Sequence, residues 1–402
     1  MRDLVRRIDA ATPPGRDRAV DALRAFAILG VVLGHWLVTA LVADSGTVRA
    51  ASPLQFTPGL APVSWLVQTL AVFFLVGGRV AAKSHASAAA RGETCGRWLR
   101  ARLARLFRPV AALLVVWAAA VGGMLVSGVG PDTVYTLGKL VLSPLWFLLV
   151  FAALTAATPL VAKLHPLWPL AVVLHVDLIR FGLDGPAALG WINVAAGWLV
   201  PYCLGAAWAR GRAGGRATGW VLLLGGASAT ALLVAFAGYP AAMVGVPGAA
   251  ISNLNPPTLA AVTFGLAQCG AALLLLGPLR RVLARPAAWA AVALVNLSAM
   301  TIFLWHQTAM MAVTATGLLT GGALPGLHTL PDGPGWILAR LAWLPVFGAA
   351  LLICWAAFRT YEQGRPRGGG RAANRPARRP GRPGEGAAAR PPRVDLGMRG
   401  TR

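Results

Sequence analysis

The chain has 402 residues, of which 57% are hydrophobic and only 12% are charged. A soluble globular domain carries about 25% charged residues, so this composition excludes a protein whose whole surface faces water. The formal net charge of +24 at pH 7 does not indicate a nucleic-acid partner, because the basic residues lie at the N-terminus, between apolar runs and in the C-terminal tail, as in membrane proteins.

Apolar runs long enough to cross a bilayer recur through most of the sequence, and the first covers residues 20–42. Nine more runs follow in chain order, at 62–82, 105–127, 145–162, 166–180, 186–209, 218–238, 257–279, 289–318 and 336–358. The fifth run is short, so a re-entrant or interrupted segment is an alternative there. The predicted fold class is all-α, a polytopic helical bundle of about ten transmembrane helices in the cell membrane.

Basic residues are unequally divided between the connections of these runs. The even-numbered connections hold most of them, whereas the odd-numbered ones hold only Arg49, Lys139 and Arg180. The positive-inside rule therefore places both termini in the cytoplasm. We expect a cytoplasmic segment over residues 1–19, a transmembrane domain over 20–360, and a disordered basic tail over 361–402 that is free to contact membrane lipid.

The four cysteines, Cys95, Cys203, Cys269 and Cys354, are far apart and form no CxxC pair or Cys/His cluster. The sequence therefore predicts no disulfide framework and no metal site. We also expect no permanently bound cofactor.

The first run holds three ionisable residues on one helical face, Asp21, Arg24 and His35. Eleven residues separate Arg24 from His35, which is about 20° more than three full turns. Ionisable groups inside a membrane are costly and tend to mark function, so this face is predicted to line a water-accessible interior. Two structural alternatives stay open, a surface salt bridge between Asp21 and Arg24 and a His35 bonded to a neighbouring helix.

The ninth run contains a second membrane-buried histidine, His306, in the segment MTIFLWHQTAM. If the helix begins near Trp289, His306 lies about 25 Å along it, in the outer half of the membrane. A structural role and a catalytic one are both open for this residue.

A basic cluster, WLRARLARLFRP, precedes the third run and contains Arg100, Arg102 and Arg105. Arginine suits planar, bidentate contact with phosphate, so the cluster is a candidate phosphate site. Charge that merely fixes the topology of a cytoplasmic loop is the alternative.

These segments resemble the integral-membrane acyltransferase-3 family. DALRAFAILGVVLGH is similar to the first helix of that family, in which a His follows an Arg by eleven residues. FFLVGG, the Arg-x-Arg pattern at Arg100 and Arg102, PLWFL and FLWH follow in family order, over roughly residues 17–310. The chain departs from the family at residues 77–79, where Gly-Gly-Arg stands in place of Ser-Gly-Phe.

The resemblance implies an acyltransferase that transfers groups other than aminoacyl groups. The donor would be a cytoplasmic acyl-CoA, often acetyl-CoA. The acceptor would be a hydroxyl, less often an amine, of a cell-envelope carbohydrate, a lipid or a secondary metabolite. The resemblance also implies that His35 is the catalytic base or acyl-handling residue and that Arg24, Arg100 and Arg102 bind the donor.

The layout of the residues adds Arg105 to the donor site, and Asp21 and His306 to the candidate catalytic groups. Neutral His35 acting as a general base and a covalent acyl-histidine relay are both open. A proton-coupled multi-pass transporter is the alternative function, although the two related halves common in transporters are not evident in the sequence.

Overall fold

The computed structural model describes residues 2–44 and 46–363, and most of their regular structure is α-helical. The first part of the chain contains nine α-helices, one 3₁₀ helix and one β-hairpin. They are α1 (Arg2–Ala10), α2 (Arg18–Val38), β1 (Ala40–Asp44), β2 (Thr47–Ala51), α3 (Pro53–Phe56), the 3₁₀ helix Pro58–Val63, α4 (Ser64–Val67), α5 (Leu70–Ala90), α6 (Cys95–Val126), α7 (Pro131–Leu142), α8 (Leu145–Ala156) and α9 (Thr158–Val161).

The second part continues the bundle with longer helices. They are α10 (Leu167–Asp177) with the π-helical turn Leu178–Gly182, the 3₁₀ helix Ala187–Trp191, α11 (Ile192–Ala209), α12 (Arg216–Phe236), α13 (Leu259–Val282), α14 (Pro286–Leu297), α15 (Ala299–Leu318) and α16 (Pro334–Gln363). The predicted basic tail covers residues 361–402. Residues 361–363 belong to the end of α16, and residues 364–402 lie outside the described residues.

Eight helical segments in the described part of the chain are long and apolar enough to cross a membrane, and a ninth is added if α14 and α15 form one bent span. Large apolar side chains such as Val115 and Ile353 are about 70% exposed on these helices. Apolar surface of this extent requires a hydrocarbon surrounding, so the predicted polytopic helical bundle is confirmed. The fifth predicted run is α10, which at 11 residues is too short to count as a span.

The single helix predicted over 289–318 is wrong, because the structure breaks it at Ser298 into α14 and α15, which meet at 71°. The break leaves backbone N–H groups free at the start of α15. Glu362 of α16 accepts two of them, from Met300 at 3.0 Å and from Thr301 at 3.0 Å. His306 is therefore only seven residues from the start of its helix, about 10 Å along the axis rather than about 25 Å.

The two ends of the bundle differ in character. At the end where α2 begins, called the basic end, Asp17 forms ion pairs with Arg79 at 3.2 Å and Arg280 at 3.1 Å. At the opposite end, called the hairpin end, β1 and β2 pair antiparallel after α2, and the N–H of Ala43 donates to the carbonyl of His328 at 3.0 Å. The β-hairpin thus ties the end of α2 to the segment that precedes α16.

A buried arginine completes the hairpin end. Arg340 of α16 is 1% exposed and donates to the carbonyl oxygens of Trp36 and Thr39, both at 2.6 Å, and of Gly326 at 2.8 Å. None of the described carboxylates forms an ion pair with it. The guanidinium therefore caps the C-terminal carbonyls of α2, where a cation is stabilised by the helix dipole.

Two glycines allow α5 and α11 to approach closely at the centre of the bundle. A Cβ at Gly78 would collide with the carbonyl oxygen of Tyr202, and one at Gly205 would collide with the carbonyl oxygen of Leu75. Small residues of this kind are how helices pack backbone to backbone in a membrane.

We expect Gly78→Ala and Gly205→Ala each to destabilise the bundle by about 1–3 kcal/mol, the usual cost of overpacking a filled interior. The measurement is the melting temperature of the purified protein in detergent. Gly122→Ala on α6 is the matched control, because no atom lies within 4 Å of the added methyl group. Equal melting temperatures for Gly78→Ala and Gly122→Ala would show that α5 and α11 do not pack backbone to backbone.

Candidate functional site

A cavity of about 670 Å³ lies inside the bundle, between helices α2, α5, α6, α8, α14, α15 and α16. The lining side chains are charged near the basic end and apolar deeper in the bundle. On α2 the lining begins at Arg24 and continues inward with Ile28 and Val31, one turn before His35. The deeper wall is aromatic and consists of Phe73, Phe147, Phe151 and Phe303. The cavity therefore has a polar mouth at the basic end and an apolar interior that points toward the histidines.

Arg24 stands at the mouth and is held by two neighbours. Its Nε donates to Oδ1 of Asn296 at 2.5 Å, and its Nη2 donates to Asp21 at 3.4 Å. Asp21 also accepts from Arg16 at 2.6 Å and does not line the cavity. Asp21 and Arg24 therefore lie on one side of α2, as predicted. Asp21 orients Arg24 and does not reach the cavity.

The arginines of α6 do not all point the same way. Arg102 and Arg105 both line the cavity, because three residues of α-helix bring side chains to within about 60° of each other. Arg100 lies about 200° from Arg102 around the helix and is exposed outside the lining. Of the predicted donor residues, the structure brings together Arg24, Arg102 and Arg105, and places Arg100 elsewhere.

The two guanidinium groups from α6 are free to bind a ligand. Within the described chain, neither Arg102 nor Arg105 makes a hydrogen bond or ion pair. The Cζ atom of Arg102 lies over the ring of Trp98, 5.5 Å from the ring centroid. Glu362 is the one carboxylate among the lining residues, and it already accepts hydrogen bonds from the backbone N–H groups at the start of α15. The mouth is therefore electropositive, as an anion site requires.

His35 and His306 meet beyond the aromatic wall, with ring centroids 5.0 Å apart and an angle of 44° between the rings. His306 is fully buried, and its Nδ1 is 2.5 Å from the carbonyl of Phe303. Since a carbonyl only accepts, Nδ1 carries the proton, and Nε2 has no partner among the described residues. Phe303 itself lines the cavity, so the pair lies directly behind its wall.

His35 is partly exposed, in contrast to His306. Its Nδ1 lies 3.0 Å from Nε2 of Gln307 on α15. The bond to a neighbouring helix that was the structural alternative for His35 is therefore present, but it uses only one ring nitrogen. No described residue bonds to Nε2 of His35, which leaves that atom free for a substrate.

Sequence reasoning missed three polar residues of this site, Asn296, Gln307 and Glu362. Amides and carboxylates within or at the end of apolar runs were the available signal, because such groups are seldom buried in a membrane without a partner. The departure at Gly77 also has a structural counterpart. A Cβ at Gly77 would collide with the ring of Phe151, which occupies that part of the cavity wall.

Comparison with known proteins supplies one match. A family model, described as an acyltransferase domain of the acyltransferase-3 type, matches residues 17–359, which include every residue of the site except Glu362. Neither the comparison with curated proteins nor that with solved structures found a match.

Proposed function

Because the chain belongs to the acyltransferase-3 family and is a multi-pass membrane acyltransferase, we propose that it transfers an acyl group, most simply acetyl, from an acyl-CoA to a hydroxyl group of an acceptor. Hydroxyls of cell-envelope carbohydrates, of lipids and of secondary metabolites are the proposed acceptor class, with an amine as the less favoured nucleophile.

The observation that carries this proposal is a cavity that has Arg24, Arg102 and Arg105 at its mouth and the histidine pair directly behind its aromatic inner wall. The phosphates of the donor would lie at the mouth, against Arg24, Arg102 and Arg105. The pantetheine arm would follow the apolar wall inward. His35 is eleven residues beyond Arg24 on α2, which corresponds to a rise of about 16 Å along the helix. The same length would separate the bound phosphates from the reacting thioester.

The distribution of basic residues supports a cytoplasmic position for the basic end. Acyl-CoA is an anionic cytoplasmic metabolite, so a mouth on that side faces the donor. Apart from its two substrates, the donor and the acceptor, the proposed reaction uses no bound group.

His35 is the proposed general base. Its neutral imidazole takes the proton from the acceptor hydroxyl as the oxygen attacks the carbonyl carbon of the thioester. The new C–O bond forms, the C–S bond breaks, and the imidazolium returns its proton to the leaving thiolate of CoA. His306 packs against the ring of His35 and holds its plane, and Asp21 holds Arg24.

The experiment is the transfer of radiolabel from acetyl-CoA by the purified protein in liposomes, with S-acetylpantetheine as the matched donor that lacks the nucleotide and its phosphates. We expect consumption of acetyl-CoA and a KM for S-acetylpantetheine that is higher by about tenfold or more, because each lost charge-assisted hydrogen bond costs about 1.5–3 kcal/mol. A protein that neither binds nor consumes any acyl-CoA would refute the donor assignment, and solute uptake into the same liposomes would then favour the transporter alternative.

A further inference from the structure

Gln307 is the only side chain among the described residues that forms a hydrogen bond with His35. It is 0% exposed and lies on α15 next to His306. Its nitrogen is 3.0 Å from Nδ1 of His35, whereas its oxygen Oε1 is buried with no partner among the described residues.

Packing alone does not account for an amide at this position. Trp305 and Met310, which lie on either side of Gln307 along α15, are apolar and buried. An unpaired amide oxygen in such surroundings is costly, and an apolar side chain of the same length would fill the space without that cost. The single bond that the amide makes, to His35, is therefore the reason for a glutamine here.

The chemistry of His35 decides which end of the amide has to face it. A base that uses Nε2 carries its own proton on Nδ1, and the imidazolium that forms during the reaction carries a proton on both nitrogens. In both forms Nδ1 is a donor and needs an acceptor. The two ends of an amide have the same shape, so rotation about the last side-chain bond of Gln307 presents Oε1 in place of nitrogen.

We infer that Gln307 is a positioning residue, whose Oε1 accepts the Nδ1–H of His35 and so keeps Nε2 free to take the proton of the acceptor. This inference rests on the proposed function for its catalytic consequence, but the protonation pattern that it assigns to His35 is a property of the resting protein. During the reaction Gln307 exchanges no proton, since the proton of the acceptor goes to Nε2 and from there to the thiolate of CoA.

The first test compares Gln307→Met, which keeps the length of the side chain and removes the acceptor, with Gln307→Glu, which restores an acceptor oxygen. For Gln307→Met we expect kcat to fall about 10- to 100-fold, less than the full contribution of a general base. The KM for acetyl-CoA should stay within about twofold, because the arginine mouth is unchanged. Gln307→Glu should recover several-fold of the lost kcat.

Thr308→Val is the matched control for these variants. Thr308 is the next residue on α15, and its hydroxyl accepts a hydrogen bond from Trp117 at 3.0 Å, away from the histidines. We expect it to lower the melting temperature with little change in kcat. A Gln307→Met protein with wild-type kcat, or a Gln307→Glu protein no better than Gln307→Met at equal melting temperature, would overturn the inference.

The second test needs no turnover. Nitrogen-15 spectra of histidine-labelled protein in lipid, with the His35 signals identified by their loss in His35→Asn, report which ring nitrogen carries the proton. We expect protonated Nδ1 and unprotonated Nε2 at His35 in the wild type, and a mixture of tautomers in Gln307→Met. A wild-type His35 protonated on Nε2 would overturn the inference, whereas a wild type that shows the expected spectra but no acyl transfer would refute only the proposed function.

Discussion

Replacing His35 with alanine is expected to lower the rate of acyl transfer by about 10²- to 10⁴-fold, the usual contribution of a positioned general base. His35 is the more accessible of the two paired histidines, and its Nε2 is free of protein partners in the described chain. The affinity for acetyl-CoA should change little, since the mouth of the cavity lies about 16 Å away along α2. The measurement is single-turnover transfer together with equilibrium binding of the donor.

His328→Gln is the matched control for the loss of a buried imidazole. Both ring nitrogens of His328 are bonded to backbone, to the N–H of Leu324 at 3.1 Å and to the carbonyl of Thr314 at 2.8 Å. This variant should melt at a lower temperature and keep its activity per folded molecule. Unchanged transfer by His35→Ala would remove the general base from the mechanism, and radiolabel that stays on wild-type protein after denaturation, but not on His35→Ala, would favour the covalent acyl-histidine.

The second large effect is expected at the mouth of the cavity, where Arg102→Ala should raise the KM for acetyl-CoA about tenfold or more. The reason is the loss of a charge-assisted hydrogen bond to phosphate, which is worth about 1.5–3 kcal/mol. The turnover number should change much less, because Arg102 lines the mouth of the cavity, whereas the histidine pair lies behind its inner wall. Steady-state kinetics over a range of donor concentrations separates the two effects.

Arg100→Ala is a closely matched control, since Arg100 is two residues away on the same helix but exposed outside the cavity. It removes the same charge from the same end of the bundle. Equal increases in KM for the two variants would indicate that overall positive charge, rather than a defined phosphate site, attracts the donor. With S-acetylpantetheine as the donor, the difference between the two variants should vanish.

The helical bundle was predictable because apolar runs of the length needed to cross a membrane dominate the sequence. The break at Ser298 was not predictable, since residues 289–318 form one continuous apolar run. The carboxylate of Glu362, which satisfies the free N–H groups of the second helix, comes from more than sixty residues later in the chain. Periodicity within a run carries no information about such a distant partner.

The site was predictable to the extent that it lies on one helix. The spacing of Arg24 and His35 sets their common face by helix geometry alone, and the cavity follows that face. The separation of Arg102 and Arg105 from Arg100 also follows from helix geometry, although the sequence pattern grouped all three. The meeting of His35 with His306 and Gln307 joins residues about 270 positions apart, and only the packing of α2 against α15 produces it.

Arg340 has a consequence for the biogenesis of the protein. During insertion, an unpaired guanidinium in a membrane helix has a cost, which reaches about 2.5–3.5 kcal/mol at the centre of the helix and is smaller for Arg340, six residues from the start of α16. The apolar remainder of α16 must offset this cost until partners are found. Those partners are the carbonyls of Trp36 and Thr39 on the first long helix to be synthesised, whereas α16 is the last of the described helices to leave the ribosome. The helix that carries His35 therefore receives its terminal cap only after the other described helices have been made, which links the completion of the site to the completion of translation.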